Sequence, residues 1–527
     1  MDTNSFPARR LSSAVSDLQL FCLTVGLLSI IYWLGVVVFN LFFHPVAAFP
    51  GPFWARTSSA WRICYSTGGR FHRAIDHLHK QYGEPLSQQP TGACTHLTRT
   101  CDVVRVAPNE LSCASVESWK AIYGPVKKPV GKSEFYEIYG SGFRSLCVGS
   151  ERNPQRHSRM KRSLAAAFST KALTEQESII NNCVDRFIGR LGTDGQSSTG
   201  LNMIKWFEML AFDMLGEMAF GESFHCVEAG KSHFWSDLIE EHLYFITILD
   251  NLRRYQILAA IGKFILPRLT VSVRNKHTNY SRDKVARRLD SKSPRADFMS
   301  HLIKRVQNGK MDLEELSAHT STLVIAGGET VATFLAATTY HLLTNPPVYK
   351  RLRSEIRNRY HSWSDIDATS ALKLPYLQAV ISEGLRIYPP GSQGFPRTTP
   401  AEGIMVDGVH IPGNVDVYTS AWTVTQDERY FHSPFEFKPE RWLDPDCSDT
   451  KEASQPFSLG PRGCLGRNFA MMEISLILAK MHFRFDAGMV NPAQGWESES
   501  HIHVMWWKPS LAVRFFPADV GSTGLST

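Results

Sequence analysis

The sequence predicts a mainly α-helical fold with small β-sheets (α+β), carried behind an N-terminal transmembrane helix. Three observations predict it. Leu18–Phe43 is apolar and carries no charge, and it exceeds the ~20 residues a helix needs to cross a bilayer. Helical patterns dominate from residue 155 to residue 390. Beside them stand only short strand-like runs, at Asp102–Val106, Ile404–Val406, Val409–Ile411 and Val415–Tyr418.

The apolar N-terminal segment is too long for the core of a signal peptide, and no small-residue cleavage site follows it. A buried core helix is the plain alternative. Flanking charge does not set its orientation, because Arg9 and Arg10 before it balance Arg56 and Arg62 after it. His44-Pro45 and Phe49-Pro50-Gly51-Pro52 follow, and proline cannot continue a helix, so the chain leaves the membrane through a stiff hinge. The expected organisation is a tail (1–17), an anchor (18–43), a proline-rich hinge (44–60) and one domain (61–520).

Composition is globular, with 43% hydrophobic and 20% charged residues among 527. Length alone allows several domains, yet no internal repeat or long low-complexity linker divides the chain. A net charge of +7 is modest. It suits an acidic partner or an anionic membrane surface, and no basic cluster points to nucleic acid. The ten cysteines are scattered without a C-x-x-C pair, which reads as reduced thiols of a protein facing the cytosol.

The most informative stretch is Phe457-Ser458-Leu459-Gly460-Pro461-Arg462-Gly463-Cys464-Leu465-Gly466, placed before a helical pattern from Arg467 to about Lys480. A Cys464 thiolate there is stabilised by free backbone N–H groups and the positive end of the helix dipole. Glycines let the backbone pass close to a flat object, and Arg462 can pair with a carboxylate on it. A structural cysteine in a glycine-rich turn is the bland alternative.

Met311–Asn345 reads as one long helix, with Asp312 and Glu315 as a capping box. Its middle holds Ala326-Gly327-Gly328-Glu329-Thr330, and each interior glycine costs about 1 kcal/mol relative to alanine. Either close helix packing or a function offsets that cost. A further helix starts at Leu374-Pro375 and places Glu383 and Arg386 on one face. Pro439-Glu440-Arg441-Trp442 follows later in the chain.

In order and spacing these motifs resemble the cytochrome P-450 family, from the anchor to about Phe516. The loop matches the family pattern F-x-x-G-x-R-x-C-x-G, the central helix matches A-G-x-(D/E)-T, and Glu383 with Arg386 matches E-x-x-R. The resemblance implies haem b as cofactor, with Cys464 as axial ligand of its iron, and Phe457, Gly460, Arg462 and Gly466 shaping the loop around it. It implies that Thr330 and Glu329 deliver protons for oxygen activation as an alcohol and acid relay. It implies that Glu383, Arg386 and Arg441 form a structural triad holding the cysteine loop in place. Arg397, in Gly394-Phe395-Pro396-Arg397, stands where the family places a propionate-binding arginine. His157 and Lys161 stand where it often has W-x-x-x-R, with histidine first in many fungal members.

Two departures stand out. Lys161 replaces the family's arginine, and lysine lacks the planar fork that binds a carboxylate bidentately. Glu84–Cys101 separates Tyr82-Gly83 from Asp102–Leu111, which the family joins closely. This insert has no periodicity, and it reads either as a surface loop or as a retained intron.

The finer resemblance is to fungal microsomal enzymes of secondary metabolism that hydroxylate terpenoid skeletons. The implied reaction inserts one atom of O2 into a hydrophobic small molecule, a terpenoid or polyketide. NADPH electrons arrive through a separate NADPH–cytochrome P-450 reductase, since the chain has no flavin-binding segment. The implied site is the endoplasmic reticulum membrane, single-pass, with a cytosolic catalytic domain. A haem-thiolate isomerase or dehydratase and a catalytically silent haem-binding membrane protein are the rival readings. Asn279-Tyr280-Ser281 is a sequon without consequence on a cytosolic domain.

Overall fold

The structure is a computed structural model that describes residues 6–82, 102–126, 129–139, 142–291, 295 and 297–518. The insert Glu84–Cys101 lies outside the described residues.

The N-terminal helix Phe6–Val38 continues through a π-helical turn, Phe39–Phe43. Its span Asp17–Phe43 has a mean hydropathy of 2.3 and none of its apolar window is buried in the protein. It is long and apolar enough to cross a membrane, as a single-pass anchor requires. The other helix of comparable apolarity, Leu313–Thr344, is mostly buried and is the central core helix.

Residues 44–60, expected as a hinge, pack into the domain. Val46 and Phe49 enter the apolar cluster under the main sheet. Asn40, in the last turn of the anchor, is buried and donates to the Thr57 carbonyl at 3.0 Å. Arg105 donates to the Asn40 carbonyl at 2.8 Å, and its own N–H donates to the Pro50 carbonyl at 2.7 Å. A Cβ at Gly51 would stand 2.3 Å from the Arg105 carbonyl oxygen, so only glycine lets the two backbones approach this closely. The prolines set the direction of the chain, and burial then fixes the anchor to the domain.

Helices form the bulk of the domain. Leu313–Thr344 runs through the core, and Met203–Phe220 packs along it. Almost every residue of Met203–Phe220 is buried, as a helix surrounded by other helices demands. The expected capping box at the start of the central helix is not formed. Asp312 is the N-cap without a side-chain bond, and Glu315 turns to His319 one turn along, at 3.4 Å.

The main sheet has five strands in the order Val103–Ala107, Glu110–Cys113, Asp416–Thr419, Arg397–Thr398 and Gly131–Lys132. Glu110–Cys113 runs parallel to Asp416–Thr419, and the other neighbours are antiparallel. Its last pairing puts Lys132 directly opposite Arg397. Ile404–Val406 pairs with Val409–Ile411 as a hairpin. Four further strands near the C-terminus, Phe485–Met489, His501–His503, Met505–Trp507 and Ala512–Pro517, escape the sequence reading. None of them shows a sustained apolar–polar alternation, as in Met505–Trp507 and the paired phenylalanines of Ala512–Pro517.

Candidate functional site

Cys464 sits between a 3-10 turn, Gly460–Arg462, and the helix Arg467–Arg484. Its N–H donates to the Phe457 carbonyl at 2.8 Å, which closes the loop on itself. Gly460 has φ +64°, and a Cβ there would meet the Tyr123 carbonyl oxygen at 2.3 Å. Glycine is therefore required at this position by the protein's own backbone. At Gly466 a Cβ would meet nothing within 4 Å. The space beside Gly466 is open, as a cradle for a flat group requires.

Cys464 is solvent-accessible, yet burial pushes its thiol pKa up. The N–H groups of Gly466 and Arg467 and the Lys161 ammonium pull it the other way. A deep sulfur that solvent still reaches marks the floor of a crevice, and the donors aimed at it suit an anionic sulfur. Leu465, Ala470 and Met471 around it are only partly buried, although they pack on the main core. On the central helix, Ala326 is exposed midway along an element that is otherwise mostly buried. Its carbonyl accepts from Thr330 Oγ1 at 2.7 Å.

The two central glycines have a packing reason of their own. A Cβ at Gly327 would meet Leu215 Cδ2 at 3.1 Å, and one at Gly328 would meet Leu215 Cδ1 at 3.5 Å. Gly327 in particular lets Met203–Phe220 come close, while a Cβ at Gly328 would stand at ordinary contact distance.

A cluster of cations gathers beside the cysteine loop. Arg397 is buried and donates to the Tyr136 hydroxyl at 3.0 Å. Arg462 donates to the Glu151 and Arg152 carbonyls at 2.9 and 2.7 Å. Lys132 donates to the Val148 carbonyl at 3.0 Å and to that of Gly149. These partners are all neutral. Burial, and next Arg397, push the Arg462 pKa down to about 10. Burial, then Arg462 and Arg397, hold Lys132 well below the usual lysine range. Burial and the same cations push His157 down to about 3. A cavity of about 390 Å³ is lined by Tyr123, His157, Lys161, Arg397 and Arg462.

Like charges directly opposite across a sheet destabilise it, and Lys132 faces Arg397 in that way. Among the described residues the buried Lys132 and Arg397 and the partly buried Arg462 bond only neutral groups, and such cations call for an anion. Two carboxylates on a flat group, beside a cysteine aimed into a crevice, are what haem b presents. The residues present therefore fit haem. Sequence reasoning found Arg397, Arg462 and His157 but missed Lys132, Tyr123 and Tyr136. The signal was tertiary, since only the pairing of Gly131–Lys132 with Arg397–Thr398 brings Lys132 alongside.

Lys161 turns elsewhere. Its ammonium donates to the carbonyls of Pro461 and Gly463 at 2.8 and 2.9 Å. It is bonded to the cysteine loop itself. A compact ammonium with three rotatable donors suits two converging carbonyls, which accounts for lysine here.

Glu383, Arg386 and Arg441 come together as one buried group. Arg386 donates through Nε and Nη2 to the two Glu383 oxygens, each at 2.8 Å. Arg441 Nε donates to Glu383 Oε1 at 3.2 Å, the Trp442 indole to Oε2 at 2.9 Å, and the Lys438 N–H to Oε1 at 2.9 Å. Arg386 also reaches the Thr425 and Pro434 carbonyls at 2.8 Å. Glu329 and Thr330 diverge: the Glu329 carboxylate bonds Thr333 and Lys508, while Thr330 bonds Ala326.

The cytochrome P-450 family model matches residues 147–511. The chain is a cytochrome P-450. It is 56% identical to cytochrome P-450 monooxygenase ORF9 of Penicillium roqueforti over 497 residues, 93% of each chain. It is 48% identical to cytochrome P-450 monooxygenase BOT4 of Botryotinia fuckeliana, over 92% of this chain and 89% of that one. It is 35% identical to cytochrome P-450 monooxygenase astJ of Aspergillus oryzae, over 92% and 94%. This P-450 is an oxidoreductase of the monooxygenase type, and haem b is its cofactor.

Proposed function

We propose that this P-450 inserts one oxygen atom of O2 into a hydrophobic fungal secondary metabolite of the terpenoid or polyketide class. The observation that carries the site assignment is Cys464: a deep, accessible sulfur with the Gly466 and Arg467 amides aimed at it, beside buried cations that lack carboxylates. Thiolate-ligated haem supplies the oxygen-transfer chemistry when bound. Cys464 would hold the iron. Arg397, Arg462, Lys132, His157 and the Tyr136 hydroxyl would hold the propionates, and Lys161 pins the carbonyls of the loop. Thr330 Oγ1 stands at the accessible face of the central helix and holds a proton that can be passed inward, with Glu329 as the acid that replenishes it. The Glu383–Arg386–Arg441 group positions the segment leading to the cysteine loop.

Two electrons come from NADPH through a separate reductase. The apolar helix Phe6–Val38 anchors the enzyme in the endoplasmic reticulum membrane with the domain in the cytosol. Relatives that are fungal monooxygenases over nearly their whole length support the oxygen-insertion chemistry.

The test is reconstitution with reductase, NADPH and labelled ¹⁸O2 against a panel of terpenoid and polyketide scaffolds. The expected result is a product carrying one labelled atom. Product formed without O2 overturns the monooxygenase reading in favour of an isomerase. In parallel, Cys464→Ser is expected to lose the thiolate signature in the reduced, CO-treated spectrum, and a variant that keeps it ends the ligand assignment.

A further inference from the structure

Lys508 carries its ammonium into the interior, where its side chain is 2% exposed. It is ion-paired with Glu329 and donates to Thr333 Oγ1 at 2.9 Å and to the Trp506 carbonyl at 3.0 Å. All three ammonium protons are thereby used. Thr333 Oγ1 donates to the same Glu329 oxygen at 3.1 Å. One carboxylate oxygen thus accepts from both a lysine and a threonine.

Thr330 is the next residue of the helix, and successive helical side chains point about 100° apart. Its hydroxyl donates to Ala326, on the accessible side of the helix. The acid of the motif is bonded on one side and the alcohol on another.

Lys508 directly follows the hairpin His501–His503/Met505–Trp507. That hairpin touches both sides of the molecule. The rings of His503 and Trp507 lie 4.9 and 5.4 Å from Tyr244, on the helix Phe234–Leu252. Trp506 stacks on Tyr388 at 4.1 Å and donates its indole N–H to the Pro389 carbonyl at 2.9 Å.

We propose that Lys508 is a positioning residue that holds the Glu329 carboxylate away from the Thr330 side of the central helix, and that the hairpin links Phe234–Leu252 to that acid. The inference rests on the reading of Glu329 as a proton source. A largely buried carboxylate that loses Lys508, its one ion-pair partner among the described residues, is costly to leave in place. With Lys508 gone, Glu329 leaves its pocket and turns toward the accessible face. Movement of Tyr244, passed through His503 and Trp507, releases it in the same way.

The test uses the full-length holoenzyme with reductase and NADPH and no added substrate. Electrons then reduce O2 either to hydrogen peroxide (two electrons, two protons) or to water (four electrons, four protons). Better proton delivery favours water. Glu329→Gln is expected to raise the peroxide fraction. Lys508→Met is expected to lower it about threefold, the opposite direction to general damage. Lys508→Arg keeps the pair and is expected to restore the wild-type partition. Hydrogen exchange supplies a readout independent of turnover: amides 501–508 are expected to exchange about tenfold faster in Glu329→Gln, because the hairpin loses its tether. An unchanged partition in Lys508→Met, with Glu329→Gln shifted, overturns the inference alone. An unchanged partition in Glu329→Gln overturns the proton-source reading and the inference with it. Unchanged exchange at 501–508 overturns the link through the hairpin.

Discussion

Glu383 and Arg386 lie one helical turn apart with both side chains fully buried, and their carboxylate and guanidinium meet fork to fork at 2.8 Å. Arg441 and Trp442 complete the carboxylate's shell from the 3-10 turn Pro439–Trp442, which precedes the cysteine loop in the chain. Glu383→Gln leaves the buried Arg386 guanidinium without its carboxylate, while Arg441 keeps its pair with Asp449, at a cost of about 3–5 kcal/mol. The expected outcome is a chain that still reaches the membrane but takes up little haem. The haem-to-protein ratio of purified protein measures it, and a ratio equal to wild type refutes the structural role.

Removing the anchor has two distinct outcomes, depending on where the cut falls. Deletion of residues 1–37 keeps Asn40 and its bonds to Thr57 and Arg105. The domain is expected to stay folded and haem-loaded, and to leave membranes in an alkaline wash. Phe53 and Trp54 are exposed beside the anchor and retain weak peripheral binding. Deletion of residues 1–43 strips Asn40 as well and is expected to cost a further ~1–3 kcal/mol. Denaturant unfolding of the two truncations separates these effects.

Helix Phe71–Tyr82 and strand Val103–Ala107 flank the insert and share one apolar cluster, with Phe71, Ile75 and Leu78 packed near Val104, Val106 and Tyr418. The described part of that cluster is built from residues on both sides of the segment. Deleting the segment is expected to preserve or raise the yield of haem-loaded protein. Loss of haem on deletion shows the loop to be structural. Sequencing of the spliced transcript decides whether the segment is translated.

His72 is fully buried against Trp422 and Trp506, with ring centroids 5.1 and 5.0 Å away, and neither ring nitrogen has a hydrogen-bond partner among the described residues. Burial, then the Arg73 and His501 charges, push its pKa down to about 3. The unfolded chain binds this proton below about pH 6.5 and the folded chain does not. Stability from this group is thus complete above pH 6.5 and declines as pH falls toward 3. At pH 5 the loss is about 2 kcal/mol. His72→Phe keeps the aromatic packing and removes the titration. The expected result is a flatter dependence of unfolding free energy between pH 7 and 5, with no loss of stability at pH 7. An unchanged pH slope shows that His72 does not contribute to it.

Much of the site is legible in the sequence because its parts are local. The loop Phe457–Gly466, the pair Glu383 and Arg386 and the stretch Ala326–Thr330 each lie within a few residues of chain, where spacing reports which side chains share a turn or a face. The anchor is legible for the same reason, since composition alone decides transfer into a bilayer. The sheet register is not local, and with it goes the position of Lys132, which faces Arg397 only because distant strands pair. The same holds for Lys161, whose partners are carbonyls some three hundred residues later, and for Lys508, which meets Glu329 from the far C-terminal hairpin. The docking of residues 44–60 on the sheet also follows from burial and not from the prolines that begin it. By itself the sequence determined the family, the cysteine and the anchor. Which cations gather beside the cysteine loop, what that loop is bonded to and where the acid of the central helix points were decided by tertiary structure, because each depends on charges brought together by packing between segments far apart in the chain.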